Sequence, residues 1–319
     1  MTKLTKHFEY TIKSNPPYDF GLTVKKPAGW SLFNPFEIYE DGTLWTATHL
    51  CGELVGIRLH STGTLEKPRI FARIFSSKSF DTKRQAEAKR LLYKMLGADQ
   101  ELYEFYKFAK KDGILKHVID DLYGMHDTFT TTVFSDAVLA ILLQMAPLKR
   151  SNEMMSSFIK TYGELADFDG RKMKAWPTPE RISGITPLDL ATKCKVGYRA
   201  KSIVKLAKRL SLGDFPSIEM LESMEPEKAK ELLLELPGIG DYSADIINPH
   251  GGFPIDVWSA EVFGKLFFGR APRNNRDAVD RVKREGIRRW GKWSWMAFFY
   301  VVQDLSNLSK RLGMEIRIT

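Results

Sequence analysis

Cysteine is scarce. The chain of 319 residues has 2, Cys51 and Cys194, far apart in sequence. That excludes a disulfide framework and fits a reducing cytosol. Long apolar runs are missing too, so nothing is built to cross a bilayer. The opening Met-Thr-Lys-Leu-Thr-Lys-His lacks the apolar core of a signal peptide. These absences lead us to expect a cytoplasmic protein with no membrane partner. No 20–50-residue period signals a solenoid. His7, His49 and His60 match no metal-ligand spacing. Acidic residues are outnumbered, 39 against 48 Lys and Arg, giving a net charge of +9. A basic balance suits a nucleic-acid partner without singling one out.

What is present reads as a globular α+β chain of two domains, with 43% apolar and 27% charged residues. Residues 1–98 read as a β-rich domain, with strand character over residues 1 to about 80. Phe8–Ile12 alternates, and Phe20–Val24 after Pro16-Pro17 reads as another strand. Asp41-Gly42 between Glu37–Glu40 and Thr43–Thr48 predicts a tight hairpin. Glu53–His60 and Arg69–Phe75 continue an antiparallel sheet. From Thr82 the apolar period turns helical, and Lys83–Leu96 is amphipathic up to Gly97. Residues 99–319 read as helices and short loops, among them Phe134–Met145, Arg199–Ser211, Val257–Phe267, Arg276–Trp290 and Ser294–Leu308. Ala166–Ala175, rich in charge, reads as a surface loop.

One stretch carries more information than the rest: Leu236-Pro-Gly-Ile-Gly-Asp-Tyr-Ser-Ala-Asp245, with Phe253-Pro-Ile-Asp256 close behind. Glu225–Glu235 reads as a helix with Pro226 just inside its start. Pro237 and Gly238 stop it, Gly240 supplies the tight turn, and Asp241 caps a second helix. Backbone N–H groups left unpaired at such a helix start suit a phosphate. The plain alternative is an αα corner whose glycines only permit the turn. Asp256 likewise reads as the N-cap of the next helix.

The two motifs together, in this order, resemble the helix-hairpin-helix DNA glycosylase superfamily. In that family a hairpin grips the DNA backbone and a following Pro-x-Asp supplies the catalytic carboxylate. Leu122–Met125, Phe134–Gln144, Trp176–Glu180 and Val196–Lys201 resemble landmarks of its alkylpurine branch. The resemblance covers most of residues 80–310, and residues 1–80 only by layout. It implies an N-terminal domain like half of a TATA-binding protein before an all-helical body of two lobes with a cleft.

The implied site follows residue by residue. Asp256 is the catalytic carboxylate, steadying positive charge that grows on the sugar as the base leaves. Pro237, Gly238, Ile239, Gly240 and Asp241 face the DNA backbone. Tyr242 stands where strand-cutting branches carry a Schiff-base lysine, so a glycosylase without lyase activity is expected. Tyr242, with Trp293, Trp290 and Trp258, would line a pocket for a flipped base, best an alkylated purine. Ring packing in a core is the other use of each. Met145 would fill the gap left in the duplex. Arg270, Arg273, Arg276, Arg281, Lys283, Arg284, Arg288, Arg289 and Lys292 are a dense basic stretch from which none is singled out. The chain lacks the endonuclease branch's four-cysteine cluster, so no iron–sulfur cofactor is expected. Only a monovalent cation on hairpin carbonyls is implied as an option. The expected partner is duplex DNA with a damaged base, met by a monomer, nucleoid-associated if the source is a prokaryote. The rivals are an 8-oxoguanine or deaminated-base glycosylase, and a hairpin protein that only binds DNA. The Asp245–Asp256 connection is shorter than the family's, through Asn248-Pro-His-Gly-Gly252.

Overall fold

The Asp-Gly pair at 41–42 does turn the chain, with φ of 47° and 72°. A computed structural model describes residues 1–26, 35–130, 132–146, 148–213, 215–271 and 276–314. Its strands are β1 Thr2–Lys3, β2 Lys6–Ile12, β3 Ile38–Glu40, β4 Thr43–Leu50, β5 Glu53–Ser61, β6 Ile70–Ser76, β7 Glu164–Phe168 and β8 Arg171–Ala175. Its helices are α1 Phe20–Lys25, α2 Thr82–Met95, α3 Leu102–Ala109, α4 Val133–Leu143, α5 Leu148–Tyr162, α6 Pro179–Ser183, α7 Pro187–Cys194 and α8 Arg199–Leu210. They continue with α9 Ile218–Glu222, α10 Pro226–Leu234, α11 Asp241–Ile247, α12 Val257–Phe268, α13 Arg276–Trp290, α14 Ser294–Gln303 and α15 Leu305–Leu312.

The main sheet is antiparallel in the order β2-β6-β5-β4-β3. One face packs on α1 and α2 through Ile57, Leu59, Ile74, Phe20 and Leu92. Phe20–Val24 is therefore a helix and not a strand. Asp19 accepts a hydrogen bond from Leu22 N at 2.8 Å, and that cap starts it.

The body after residue 98 is not all helical. The segment expected as a surface loop folds as the hairpin β7–β8, turned by Asp169-Gly170 at φ of 50° and 72°. Ala166, Phe168, Met173 and Ala175 alternate inward and join Phe75 and Ala47 under the other face of the main sheet. β1 pairs with β7 in parallel. The charged residues that suggested a loop are the outward half of that alternation.

The helices form two lobes around separate cores. The first core draws on α4 to α11, from Val133 to Ile247. The second draws on Leu102–Met125 and then Phe253–Leu308. Here residues 114–122 hold a single tight turn, Leu115–His117. Asp112 accepts from Ile114 N and Leu115 N, both at 2.9 Å, and so starts that turn. The chain leaves the first core at Ile247 and enters the second at Phe253. The motif stretch spans that crossing.

Candidate active site

Leu236 and Ile239 bury their side chains in the first core and leave Gly238 and Gly240 at the surface. Gly238, not Gly240, supplies the left-handed turn, at φ +86°. A Cβ there would lie 2.6 Å from Ser202 Cβ, so close packing against α8 also demands glycine. Gly240 is extended at φ −108° and is itself the N-cap of α11. Asp241 thus begins the helix instead of capping it. Among the described residues no hydrogen bond uses the N–H of Gly240 or Asp241.

The Asp241 side chain turns to two lysines. Lys230 of α10 lies 2.6 Å from Asp241 and 2.6 Å from Asp245. Lys283 of α13 pairs with Asp241 and reaches Asp245 at 2.5 Å. Asp245 is only 3% exposed, so this cross-link is largely out of water. Burial alone would raise the Asp241 pKa, but hydrogen bonds from Lys230 and Lys283 hold it below its usual value. The knot joins both hairpin helices to the second lobe. It also uses Lys283 internally, and Arg288 and Arg289 likewise pair with Glu285. Part of the basic stretch is therefore not free for phosphate. Arg273 lies outside the described residues.

After the hairpin, Gly252 crosses directly over Asp245, whose Cγ would be 2.6 Å from a Cβ at that position. Phe253 then enters the second core edge-on to Phe263 and Trp290, at 5.2 and 5.6 Å. Four residues span the gap between Gly252 and Val257, and Asp256 is the last of them. It caps α12 in a reciprocal box. Asp256 Oδ1 accepts from Ser259 N at 2.8 Å, and Ser259 Oγ accepts from Asp256 N at 2.8 Å. Ser259 Oγ also lies 2.8 Å from Oδ1. Oδ2 makes no hydrogen bond among the described residues. Tyr242 follows Asp241 in α11, within range of the Asp256 charge. Burial pushes its phenol well above the usual value, and the Asp256 charge pushes it further. Tyr242 belongs to the second hairpin helix, and Asp256 to the start of α12.

No protein-family model matches the chain. The DNA-3-methyladenine glycosylase of Bacillus subtilis (strain 168) is 24% identical over 227 residues, 68% of this chain and 72% of that protein. The 3-methyladenine DNA glycosylase from Archaeoglobus fulgidus superposes with a TM-score of 0.73 at 20% identity, over 96% of this chain and 100% of that one. The Clostridium acetobutylicum 8-oxoguanine glycosylase/lyase superposes with a TM-score of 0.68 at 16% identity, over 94% and 99%. The fold is that of the helix-hairpin-helix DNA glycosylases.

Within this glycosylase fold the tryptophans separate. Trp290 is 1% exposed, and its Nε1 donates to Asp112 Oδ2 at 3.2 Å. Its ring packs in the second core. Trp293 is half-buried against Phe105 at 5.7 Å, with Lys292 Nζ 4.9 Å from its ring centre. Trp258 is half-buried beside Asp256, and its buried Nε1 has no partner among the described residues. Trp295 was not singled out from sequence, yet it touches the crossing itself. A Cβ on Gly251 would be 2.8 Å from Trp295 Cβ. Its Nε1 donates to Asp127 Oδ2 at 2.7 Å, and Asp127 pairs with buried Lys26 at 3.5 Å. Helical spacing could not rank these rings, because each has an apolar face toward α14 or its neighbours.

Met145 is 69% exposed at the end of α4, at φ 49°. For a non-glycine side chain this is an uncommon backbone state. A separate cavity of about 210 Å³ lies between α2, α9 and the start of α4. Its lining includes Lys94, Asp99, Asp136, Glu219, Glu222 and Ile247, but neither Tyr242 nor Asp256. The hairpin carbonyls of Leu236 and Gly238 already accept from Ile239 N at 3.1 Å and Gln144 Nε2 at 2.8 Å. No helix of the described residues is long and apolar enough to cross a membrane.

Proposed function

We propose that this protein is a DNA glycosylase that extrudes a damaged base and hydrolyses its N-glycosidic bond without cutting the strand. One observation carries the reading. Among the described residues Asp256 keeps Oδ2 free at the cap of α12, and the hairpin turn that precedes it in the chain keeps the N–H groups of Gly240 and Asp241 free. As the C1′–N bond breaks, its electron pair leaves with the base and the sugar becomes cationic. An anion about 4 Å away stabilises that charge by roughly 4 kcal/mol at an effective dielectric of 20. Asp256 also orients the water that adds to C1′ and accepts its proton.

Tyr242 supports two finer points. A phenol cannot form the Schiff base that strand cutting through a lysine requires, so the product is an intact strand with an abasic site. Its ring offers a π face, which favours a cationic alkylated purine over a neutral base. The protein acts as a monomer on duplex DNA, with the hairpin on the phosphates and Met145 in the vacated gap. 8-Oxoguanine is the rival lesion, since an 8-oxoguanine glycosylase/lyase shares the fold.

The test is a panel of duplexes, each with a single lesion, incubated with wild type and Asp256→Asn and then treated with alkali. Release from an alkylpurine duplex by wild type alone supports the reading. Release by both proteins alike removes Asp256 from the chemistry. A covalent product trapped by borohydride would overturn the monofunctional assignment. Binding without release of any lesion would leave a DNA-binding scaffold.

A further inference from the structure

The end of α4 is held from outside by side chains. Arg199 Nε donates to Ile141 O at 3.1 Å, and Arg199 Nη2 donates to Gln144 O. Ser151 Oγ donates to Leu142 O at 2.9 Å. Arg199 is only 8% exposed and has no carboxylate partner among the described residues. The carbonyls and dipole at the C-terminus of α4 are what stabilise its charge there. Gln144 then reaches the other way. Its Nε2 donates to Gly238 O and to Ser243 Oγ, both at 2.8 Å. Met145 is the next residue, exposed and in the left-handed region.

We infer that Arg199 and Gln144 form a clamp that fixes Met145 at a set distance from the hairpin. Both act as positioning residues for base extrusion. The inference rests on the proposed function, because it assumes that Met145 enters the duplex. The last four carbonyls of a helix lack partners within it, and side chains or water satisfy them. Satisfying them does not need a second bond to the segment that grips DNA. That extra link makes the hairpin and the inserted side chain one rigid tool. Without it, binding energy at the phosphates would be lost in loop motion instead of opening the stack.

The test reads unstacking without chemistry. The probe is a duplex with 2-aminopurine beside a tetrahydrofuran abasic-site analogue, saturated with full-length protein. Wild type should raise the fluorescence, and Met145→Ala should abolish most of that rise. Gln144→Leu and Arg199→Lys should each lower it by about fivefold, a size common for residues sharing one network. Each should leave affinity for lesion-free duplex near wild type, while Arg199→Lys should lower thermal stability through the carbonyl it uncaps. In the Met145→Ala background neither substitution should lower the signal further. Additive losses there, or equal losses of fluorescence and lesion-free affinity, would overturn the clamp and leave a helix cap. No fluorescence rise from wild type bound to the probe would also overturn it. If the rise follows this pattern while no lesion is ever excised, the clamp stands and the glycosylase reading fails.

Discussion

Replacing Asp256 by Asn separates charge from structure. Asn is as good an N-cap as Asp, and its side-chain oxygen can still accept from Ser259 N, the 2.8 Å bond that starts α12. Stability should therefore change by less than about 1 kcal/mol, whereas Asp256→Ala should cost about 1 kcal/mol through the lost cap. The charge is another matter. Losing roughly 4 kcal/mol of stabilisation for a sugar cation 4 Å away slows the step by about a thousandfold, at about 1.4 kcal/mol per tenfold. The assay is single-turnover release from the best lesion duplex, read after alkali, beside a thermal melt of each variant. An Asn variant that melts normally and keeps its rate within about threefold of wild type would refute the electrostatic role.

Further outcomes follow from the same geometry. Tyr242→Ala should weaken binding to a lesion duplex by about 1–3 kcal/mol, the range for a lost base–aromatic stack, while Tyr242→Phe should keep most of it; equal loss in both would point to the hydroxyl. Gly238→Ala forces a side chain to φ +86° and against Ser202, so it should cost at least about 1–3 kcal/mol in urea unfolding and weaken duplex binding in an anisotropy titration. Burial lowers the Lys26 pKa from 10.5 to about 8, with Asp127 opposing. Between those values the unfolded chain keeps a proton that the folded chain has released, so this group's contribution to stability rises with pH. Urea unfolding at pH 7.5 and 9.5 should show wild type gaining on Lys26→Met at the higher pH, and a flat difference would contradict the lowered pKa.

Sequence alone determined whatever depends on a few adjacent residues. Asp41-Gly42 made its turn, Pro226 opened α10, Pro237-Gly238 closed it, and Asp256 capped α12, because turn and cap energies are local. The Asp169-Gly170 turn carried the same signal, but its charged neighbours hid an alternation that only pairing with β1 and the main sheet makes favourable. Asp19 caps α1 against the strand preference of the aromatic and β-branched residues that follow it. Tertiary structure decided the rest. Ser202 beneath Gly238 put the left-handed residue there and not at Gly240, and burial turned Trp290 into core while Gly251 brought Trp295 to the crossing. Lys283 joined Asp241 and Asp245 from 38 residues beyond Asp245. Such long-range contacts leave no local periodicity, since what selects them is the space and charge that other elements happen to present.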